Sequence, residues 1–379
     1  MYFKFYNFIF YITMAAYAYF NIYFRDIGLS SFQIGVVNAV PRGLSLVILP
    51  LWGLITDYLQ QNKKVLFIAL SGTLGVILIF PAASSFWSLV IMMFLFAVFQ
   101  NPIQPLSDSL LLDYLGEDAS QYGKFRLWGS IGYMLTVSLI GYFLEQTASR
   151  NLFAVYAVFI FMSILLLKGL PESRRDIKIF NLSDFTKIFN NKKLFHFLLF
   201  VFILQTTMNA NYVYFPLYIV DHGGGEFLLG LAMTLSSGSE IFAFFASEKI
   251  IEKLKMNRIV FLISLSFSIR WILLFLYPVK AVILASQLLH SLTFGLFYAV
   301  GVNYVSKISG EKFRATGQNI FSAVYLGISS ISGSLIGGKI YEMYGGEIMY
   351  LIWSLTAAAA GVFYIIALNN RHSKFKKGY

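Results

Sequence analysis

Apolar positions along the chain fall into long, almost uncharged runs that are separated by short polar connections. A helix needs about 20 apolar residues to cross the hydrocarbon core of a bilayer. Runs of about that length cover residues 5–24, 32–56, 65–82, 86–112, 125–146, 151–170, 194–220, 227–249, 258–276, 280–305, 316–338 and 346–369. The pattern therefore predicts an all-α membrane protein with twelve transmembrane helices.

The longest polar connection, residues 171–193, divides these runs six and six. Two stretches of the first half also recur in the second half at nearly one offset. Residues 55–62 align with 250–257, and the tetrad Ser-Leu-Ile-Gly at 138–141 recurs at 334–337. Parallel six-helix repeats are typical of secondary transporters.

We therefore predict two pseudo-symmetric six-helix bundles. The predicted segments are an N-terminal bundle at 1–170, a cytoplasmic linker at 171–193, a C-terminal bundle at 194–370 and a basic cytoplasmic tail at 371–379.

Charge follows the predicted connections. The chain has 29 Lys and Arg against 18 Asp and Glu, a formal net charge of +11. With both termini on the cytoplasmic side, the opposite side holds only Arg25, Arg150, Lys280 and Lys339. Cytoplasmic loops carry the excess of basic residues in membrane proteins. The basic balance is therefore a topology signal for a multi-pass protein of the cytoplasmic membrane, and no nucleic-acid partner is expected.

Composition narrows the possible chemistry. Hydrophobic residues make up 58% of the chain, charged residues 12%, and the mean hydropathy is +0.70. Cysteine is absent, which excludes disulfides and thiolate chemistry. The sequence has no phosphate-binding loop, no serine-nucleophile elbow and no metal-ligand spacing. We therefore expect no cofactor and no metal site, and we do not expect an enzyme.

Two charged residues lie inside consecutive apolar runs. Asp108 and Arg126 are each about eight to ten residues from the polar turn at 116–118, so they lie at a similar depth if the helices are antiparallel. A charge in hydrocarbon costs at least about 2.5–3.5 kcal/mol, which makes such a residue a candidate functional group. Arginine can grip a carboxylate or paired hydroxyls, and aspartate can accept hydrogen bonds or a proton.

The second half carries a similar set of ionisable residues. Arg270 and His290 are about equally far from the turn at 278–280, and Glu240 lies within the run 227–249. Histidine titrates near neutral pH and can relay a proton or donate to substrate. Arg42 lies mid-run between a proline and a glycine, and is a candidate for contacting substrate or pairing with an acid of the other half.

Three motifs identify a family resemblance. Residues 53–57, Gly-Leu-Ile-Thr-Asp, followed by two lysines at 63–64, resemble the loop motif of the major facilitator superfamily. Within it, residues 122–132 and 287–295 resemble the branch that contains lactose permease and the phenylpropionate permeases, and the similarity extends over 2–370. The resemblance implies transport by alternating access.

The resemblance also assigns roles to single residues. Asp108 corresponds to a helix-4 glutamate of lactose permease, and Arg126 to the helix-5 arginine that grips the sugar. Arg270 and His290 correspond to an arginine of helix 9 and a histidine of helix 10. Tyr133 stands where the family has a sugar-stacking tryptophan. The implied substrate-binding residues are Asp108, Arg126, Tyr133, Arg270 and His290.

The chain departs from the lactose permease pattern at positions that matter for coupling. Thr293 stands in place of the glutamate implicated in proton coupling. Thr206 and Asn209 replace two aspartates of helix 7, and Leu326 lies near the position of their lysine partner. Glu240 is therefore our first choice of proton carrier. The predicted proton-coupling residues are Glu240, His290 and Asp108.

Residues of the first motif have a separate prediction. Asp57, Lys63 and Lys64 are expected to latch the cytoplasmic gate rather than touch substrate, and a solvated loop is the alternative.

The sequence predicts a monomeric proton symporter in the lipid bilayer, with a small molecule as substrate. A sugar, a nucleoside and an aromatic acid remain open as the substrate, and so do a uniporter and an efflux carrier. A non-transporting receptor or scaffold on the same fold is the main alternative. An enzyme is disfavoured because no catalytic constellation is present.

Overall fold

The computed structural model describes residues 1–172, 191–310 and 313–376, and within them the side chains of all but 57, 119, 244, 245, 315 and 367–376. These three ranges are almost entirely helical and contain no strand. Most of the predicted linker at 171–193 and the last three residues of the predicted tail lie outside the described residues. The predicted segment boundaries stay predictions.

Eight α-helices precede the predicted linker. They are α1 (Tyr2–Tyr17), α2 (Phe20–Asp26), α3 (Ser31–Leu59), α4 (Asn62–Ile79), α5 (Phe86–Gln100), α6 (Ile103–Leu115), α7 (Tyr122–Gln146) and α8 (Leu152–Leu167).

Seven described α-helices follow it. They are α9 (Lys192–Asp221), α10 (Glu226–Lys253), α11 (Met256–Leu276), α12 (Lys280–Ser286), α13 (Phe297–Ser309), α14 (Arg314–Ser322) and α15 (Ser329–Lys376).

Within the described ranges, nine helical segments are long and apolar enough to cross a membrane, or ten if the bent pair within α10 forms one span. The predicted run 5–24 is divided between α1 and α2. The runs 316–338 and 346–369 fall in one continuous segment, in which Gly345 has a left-handed φ of 83°. The structure therefore supports a polytopic helical membrane protein, while the number twelve stays a prediction.

The chain forms two compact units. Among the described residues, the first unit contains 1–172 together with 219–234, and the second contains 191–218 together with the described residues from 235 onward. The short segment 219–234, which comprises the end of α9 and the start of α10, thus belongs with the first unit although it follows the predicted linker.

Glycines bring helices into close contact in the first unit. A Cβ atom on Gly129 of α7 would lie 2.6 Å from the Tyr11 ring, and one on Gly132 would lie 2.4 Å from the Phe8 carbonyl oxygen of α1. Segment 219–234 packs on α7 in the same way, because a Cβ on Gly230 would lie 2.6 Å from the Cα of Ser138. Small residues permit such backbone contacts between membrane helices.

Polar contacts add to the packing of segment 219–234. The Glu145 carboxylate of α7 accepts a hydrogen bond from the Phe227 backbone N–H at 2.9 Å, which satisfies a free donor at the start of α10. Arg25 and Asp221 form an ion pair, and both side chains are about one-third exposed.

In the second unit, α11 packs on α15, and α9 meets α15 at Gly333. Two π-helical turns interrupt the helices of this unit, Ser291–Leu296 before α13 and Ala323–Ile328 before α15. π-Helical turns occur frequently at functional sites, since each inserts an extra residue that changes where side chains point.

Candidate functional site

Arg126 lies over an aromatic ring in the first unit. Its Cζ is 4.1 Å from the centroid of the Tyr11 ring, and the phenol of Tyr122 interacts electrostatically with both Arg126 and Asp108. A guanidinium held over a ring face is attracted by the ring's negative face. Gly129 provides the space for the Tyr11 ring, so the contact of α1 with α7 positions the arginine.

Asp108 is held by its neighbour on the same helix. The Gln104 Nε2 donates to both carboxylate oxygens of Asp108, at 2.9 Å each, and the Gln104 Oε1 accepts a hydrogen bond of 2.7 Å from the Tyr11 hydroxyl. Residues four apart on a helix are surface neighbours, which makes this Gln–Asp pair possible. The predicted Asp108 and Arg126 thus lie in one cluster, joined through Tyr11 and Gln104. We call these four residues and Tyr122 the Arg126 cluster.

The Arg126 guanidinium keeps an unused hydrogen-bond donor. No carboxylate among the described side chains lies within 4.0 Å of it, and its Nη1 atom is buried without a partner. A buried donor without an acceptor costs about 1–3 kcal/mol, and more when it is charged. An acceptor oxygen on a bound solute would relieve that cost, so the arrangement fits a solute-binding group.

Tyr133 and Arg42 are in the first unit but outside this cluster. Tyr133 is seven residues beyond Arg126, which places it on the same face of α7 about 10 Å further along, near the Tyr19 hydroxyl. Arg42 is exposed on α3, close to the Tyr17 phenol, and no described carboxylate lies within 4.0 Å of its guanidinium. The structure does not bring either residue into hydrogen-bonding contact with Arg126 or Asp108.

Arg270 is almost completely buried in the second unit, with 1% of its surface exposed. Its Nη1 donates to His290 Nδ1 and to Thr293 Oγ1, both at 2.9 Å, and its Nη2 donates to Gln287 Oε1 at 2.7 Å. Its Nε is buried without an acceptor. A buried charge is tolerated when it is hydrogen-bonded or paired. The predicted residues Arg270 and His290 are therefore direct partners.

Glu240 completes this second group. Its Oε1 lies 3.1 Å from His290 Nε2, and its side chain is 26% exposed. The helix turn that carries Glu240 contacts the π-helical turn closely, because a Cβ on Gly295 would lie 2.7 Å from the Ala243 Cβ. Arg270, His290 and Glu240 thus form a continuous chain of polar contacts, a hydrogen bond from Arg270 to His290 and an ion-pair contact between His290 and Glu240. We call these three residues, with Ser236, Gln287 and Thr293, the Arg270 cluster.

Aromatic rings surround the Arg270 cluster. The Trp271 ring centroid is 5.0 Å from the Arg270 Cζ, and the Trp271 Nε1 donates to Thr207 Oγ1 at 3.1 Å. The Phe294 and Tyr212 rings have centroids 5.2 Å and 6.2 Å from that of His290. These rings shield the chain of polar contacts from solvent and strengthen its electrostatic interactions.

The residues that replace the family's helix-7 aspartates make helix contacts. Thr206 donates to the Phe202 carbonyl at 2.8 Å, and Asn209 accepts a hydrogen bond of 2.7 Å from Ser330 of α15. Leu326, near the position of their lysine partner, is 53% exposed. One neutral hydrogen bond, from Ser330 to Asn209, therefore joins α9 and α15 where the resemblance implies a charge pair.

The predicted gating residues lie near the end of α3 and the start of α4. Lys63 donates from Nζ to the carbonyl oxygens of Lys168 and Leu170, at 3.0 Å and 2.6 Å, and so satisfies free carbonyls beyond the end of α8. Lys64 is exposed. The Asp57 side chain is outside the described part of the structure. The gating role stays a prediction.

Sequence reasoning singled out Thr293 but missed other neutral members of both clusters. Tyr11, Gln104, Gln287 and Ser236 were not singled out, although two local signals were available. Gln104 is four residues before Asp108, and Gln287 is three residues before His290, so each shares a helix face with its charged neighbour. Where side chains are described, no group of three or more histidine and acidic residues has the geometry of a metal site.

Charged clusters within long apolar helices are typical of multi-pass membrane transporters. Residues 1–352 match the family model described as the MFS_1 like family. The chain therefore belongs to this family of major facilitator transporters, and its family is one of transporters rather than enzymes.

Two relatives and one solved structure illustrate the similarity. The maltose permease of Geobacillus stearothermophilus is 26% identical over 97% of this chain and 93% of its own length. The probable 3-phenylpropionic acid transporter of Escherichia coli is 23% identical over 90% of both chains. The crystal structure of the nucleoside transporter NupG has a TM-score of 0.85 at 17% identity and covers 96% of this chain and 98% of its own. The structural similarity shows the fold.

Proposed function

We propose that this protein is a secondary active transporter that moves a small polar organic solute across the cytoplasmic membrane by alternating access, coupled to protons. Its relatives include a maltose permease, a probable 3-phenylpropionic acid transporter and a nucleoside permease. Sugars, aromatic acids and nucleosides all carry oxygen acceptors that suit an arginine side chain.

The observation that carries the proposal is the unused Nη1 donor of Arg126, held over Tyr11 beside Asp108. An arginine that served only to join helices would have its terminal nitrogens paired within the protein, as both Nη atoms of Arg270 are. Here a solute oxygen can accept from Arg126 while the Tyr11 ring offers an apolar surface. Asp108, Tyr133, Arg270 and His290 remain the further proposed contacts to substrate.

Proton coupling is proposed for the Arg270 cluster. Glu240 is a partly exposed carboxylate within a membrane span, in contact with a histidine that is bonded to a buried arginine. A carboxylate in this setting can alternate between an ionised form, which balances Arg270, and a protonated form, which does not. That alternation supplies two charge states between which the transport cycle can move.

The experiment is solute and proton flux in proteoliposomes made with the purified protein. A panel of radiolabelled maltose, uridine and 3-phenylpropionate is offered with and without an imposed pH gradient, and proton entry is followed with an internal dye. Wild type is expected to accumulate one class of solute and to acidify the lumen as it does so. Arg126→Ala is expected to lose solute flux, and Glu240→Gln to lose proton entry.

Glu248→Gln is the matched control, because Glu248 is an exposed residue two turns further along the same helix. It is expected to behave as wild type. Solute accumulation without proton movement would refute the proton coupling. No flux of any organic solute, with well-folded protein in the vesicles, would refute transport of this class and favour the receptor hypothesis.

A further inference from the structure

We propose that His290 does not carry the transported proton but is a positioning residue, locked in one neutral tautomer, that connects Arg270 to the titrating carboxylate of Glu240. This inference rests on the proton coupling proposed above and assigns its parts. It follows from the directions in which the hydrogen bonds of the Arg270 cluster must run.

The bond from Arg270 determines the state of one imidazole nitrogen. A guanidinium group has donors but no acceptor, and it stays protonated in proteins. The 2.9 Å contact of Arg270 Nη1 with His290 Nδ1 therefore requires a lone pair on Nδ1. A neutral imidazole with a free Nδ1 carries its hydrogen on Nε2. That nitrogen lies 3.1 Å from Glu240 Oε1, so the Nε2–H group is within reach of the carboxyl group of Glu240.

Gln287 keeps the arginine in this orientation. Its Nε2 donates to the Ile283 carbonyl at 3.1 Å and to Ser286 Oγ at 3.0 Å, which turns its Oε1 towards Arg270. The same Oε1 also accepts from Ser236 Oγ at 2.9 Å. The amide cannot reverse without losing these bonds, so Nη2 of Arg270 has a fixed acceptor.

Thr293 fixes the other end of the guanidinium. Its hydroxyl donates to the Leu289 carbonyl at 3.1 Å, which leaves its oxygen free to accept from Arg270 Nη1 at 2.9 Å. Threonine thus occupies the position where the resemblance predicts a glutamate and provides a neutral acceptor in its place. Thr293 can orient Arg270, but its hydroxyl group does not titrate near neutral pH.

Protonation of His290 is disfavoured by this arrangement. A second hydrogen on Nδ1 would point at an Arg270 donor, replace a hydrogen bond by a clash of donors and bring two positive charges into contact. Glu240 has no such conflict, since its carboxyl group lies within 3.1 Å of Nε2 and is partly exposed. Among the described residues, the titratable groups that face Glu240 are His290, Arg270 of α11 and Tyr325 of the second π-helical turn, and Tyr212 of α9 packs on His290.

The consequence is a division of labour in which the proton binds at Glu240 and the imidazole transmits the change to Arg270. When Glu240 is ionised, it balances the arginine through a neutral bridge. When Glu240 is protonated, the buried guanidinium has lost its counter-charge. A neutral side chain with one acceptor and one donor should therefore replace His290 as a connector, whereas a proton carrier could not be replaced in this way.

The first test uses His290→Gln, whose amide offers an oxygen to Arg270 and an N–H to Glu240. In the proteoliposome assay, we expect solute flux to fall but the ratio of protons to solute to stay as in wild type. Glu240→Gln is expected to abolish proton entry, a loss of about a hundredfold or more for a removed proton-transfer group. Loss of proton entry in His290→Gln with solute exchange retained would overturn the proposal. His196→Gln, outside the cluster, is the matched control.

A second measurement is made on the wild-type protein, and a variant is needed only to assign its signals. Nitrogen-15 NMR of the reconstituted protein with labelled histidine reports tautomer and charge for each of the four histidines, and the His290 signals are assigned by their absence in His290→Gln. We expect a neutral Nε2–H imidazole from about pH 5 to about pH 8, the range in which free histidine changes charge. A titration of His290 in that range would overturn the proposal, even if wild type proved not to be proton-coupled.

Discussion

Two arginines of this transporter differ in how fully the protein satisfies them. Arg270 is 1% exposed and donates from Nη1 and Nη2 to three side chains, and its Nε is buried without an acceptor. Arg126 rests on an aromatic ring, and its terminal Nη1 is buried without an acceptor. Both are costly charges within apolar spans. The difference lies at the terminal nitrogens: both of those of Arg270 are bonded within the protein, whereas Nη1 of Arg126 is open to an acceptor, which supports its proposed role in binding solute.

The carboxylates of the two clusters, Asp108 and Glu240, also differ in their partners and exposure. Both oxygens of Asp108 are taken by the Gln104 amide, while Glu240 contacts a histidine and is partly exposed. A neutral amide partner holds Asp108 without exchanging a proton with it. The first unit therefore presents an open arginine donor, which suits the proposed binding role, and the second presents a partly exposed carboxylate, which suits the proposed coupling role.

The largest effect is expected from replacing Arg270, whose two terminal nitrogens are bonded within the protein. Arg270→Met leaves Glu240 without its counter-charge and removes the donor to Gln287 and Thr293. Removing one partner of a buried charge pair costs about 3–5 kcal/mol, so thermal unfolding of the detergent-solubilised protein should shift strongly downwards. Adding Glu240→Gln should restore part of the loss, because the uncompensated charge is then gone. A single variant as stable as wild type would show that Arg270 is not held as described.

A smaller effect is expected from replacing Arg126, whose Nη1 lacks an acceptor. Arg126→Lys keeps the charge but replaces the planar fork, so it should weaken solute binding by about 1.5–3 kcal/mol, or roughly tenfold to a hundredfold in affinity, with little change in stability. Solute binding by scintillation proximity and thermal unfolding measure the two quantities. Lys124→Gln, on an exposed neighbour of the same helix, is the control. Equal effects of Arg126→Lys on stability and on binding would remove the contrast between the two arginines.

The smallest effect is expected from the ring that supports Arg126. Gly129→Ala would place a methyl group 2.6 Å from Tyr11 ring atoms, forcing the ring to shift at an expected stability cost of about 1–3 kcal/mol and with some loss of solute affinity. Gly123→Ala is the matched control, because no atom lies within 4 Å of its Cβ position on the same helix. The comparison fails if the two alanines have the same effect on affinity.

Much of this organisation could be predicted from the sequence, for a physical reason. A bilayer requires long apolar helices, so the spans are visible as uncharged runs, and a charge within such a run is conspicuous. Asp108, Arg126, Glu240, Arg270 and His290 were found in this way, and the family model confirms the major facilitator assignment.

The remaining members of the clusters were not predictable with the same ease. Gln104 and Gln287 are neutral polar residues, which cost little in a span and give no signal by themselves. Tyr11 is one of many aromatic residues on α1, and it reaches Gln104 across 93 residues of sequence. That the two charges of the first cluster are joined through these residues depends on tertiary packing, which hydropathy does not describe.

The π-helical turn Ser291–Leu296 has a consequence for how the length of this chain can change. The wide turn holds one residue more than an α-helix would, while the helices on either side remain in phase. Elsewhere in a span, loss of one residue rotates everything that follows by about 100°. Deletion of one residue here would convert the π-helical turn into regular α-helix. Only the local side chains, including Thr293, would change direction. Evolution therefore has, next to the Arg270 cluster, a place where a single insertion or deletion can change the local side chains without rebuilding the bundle.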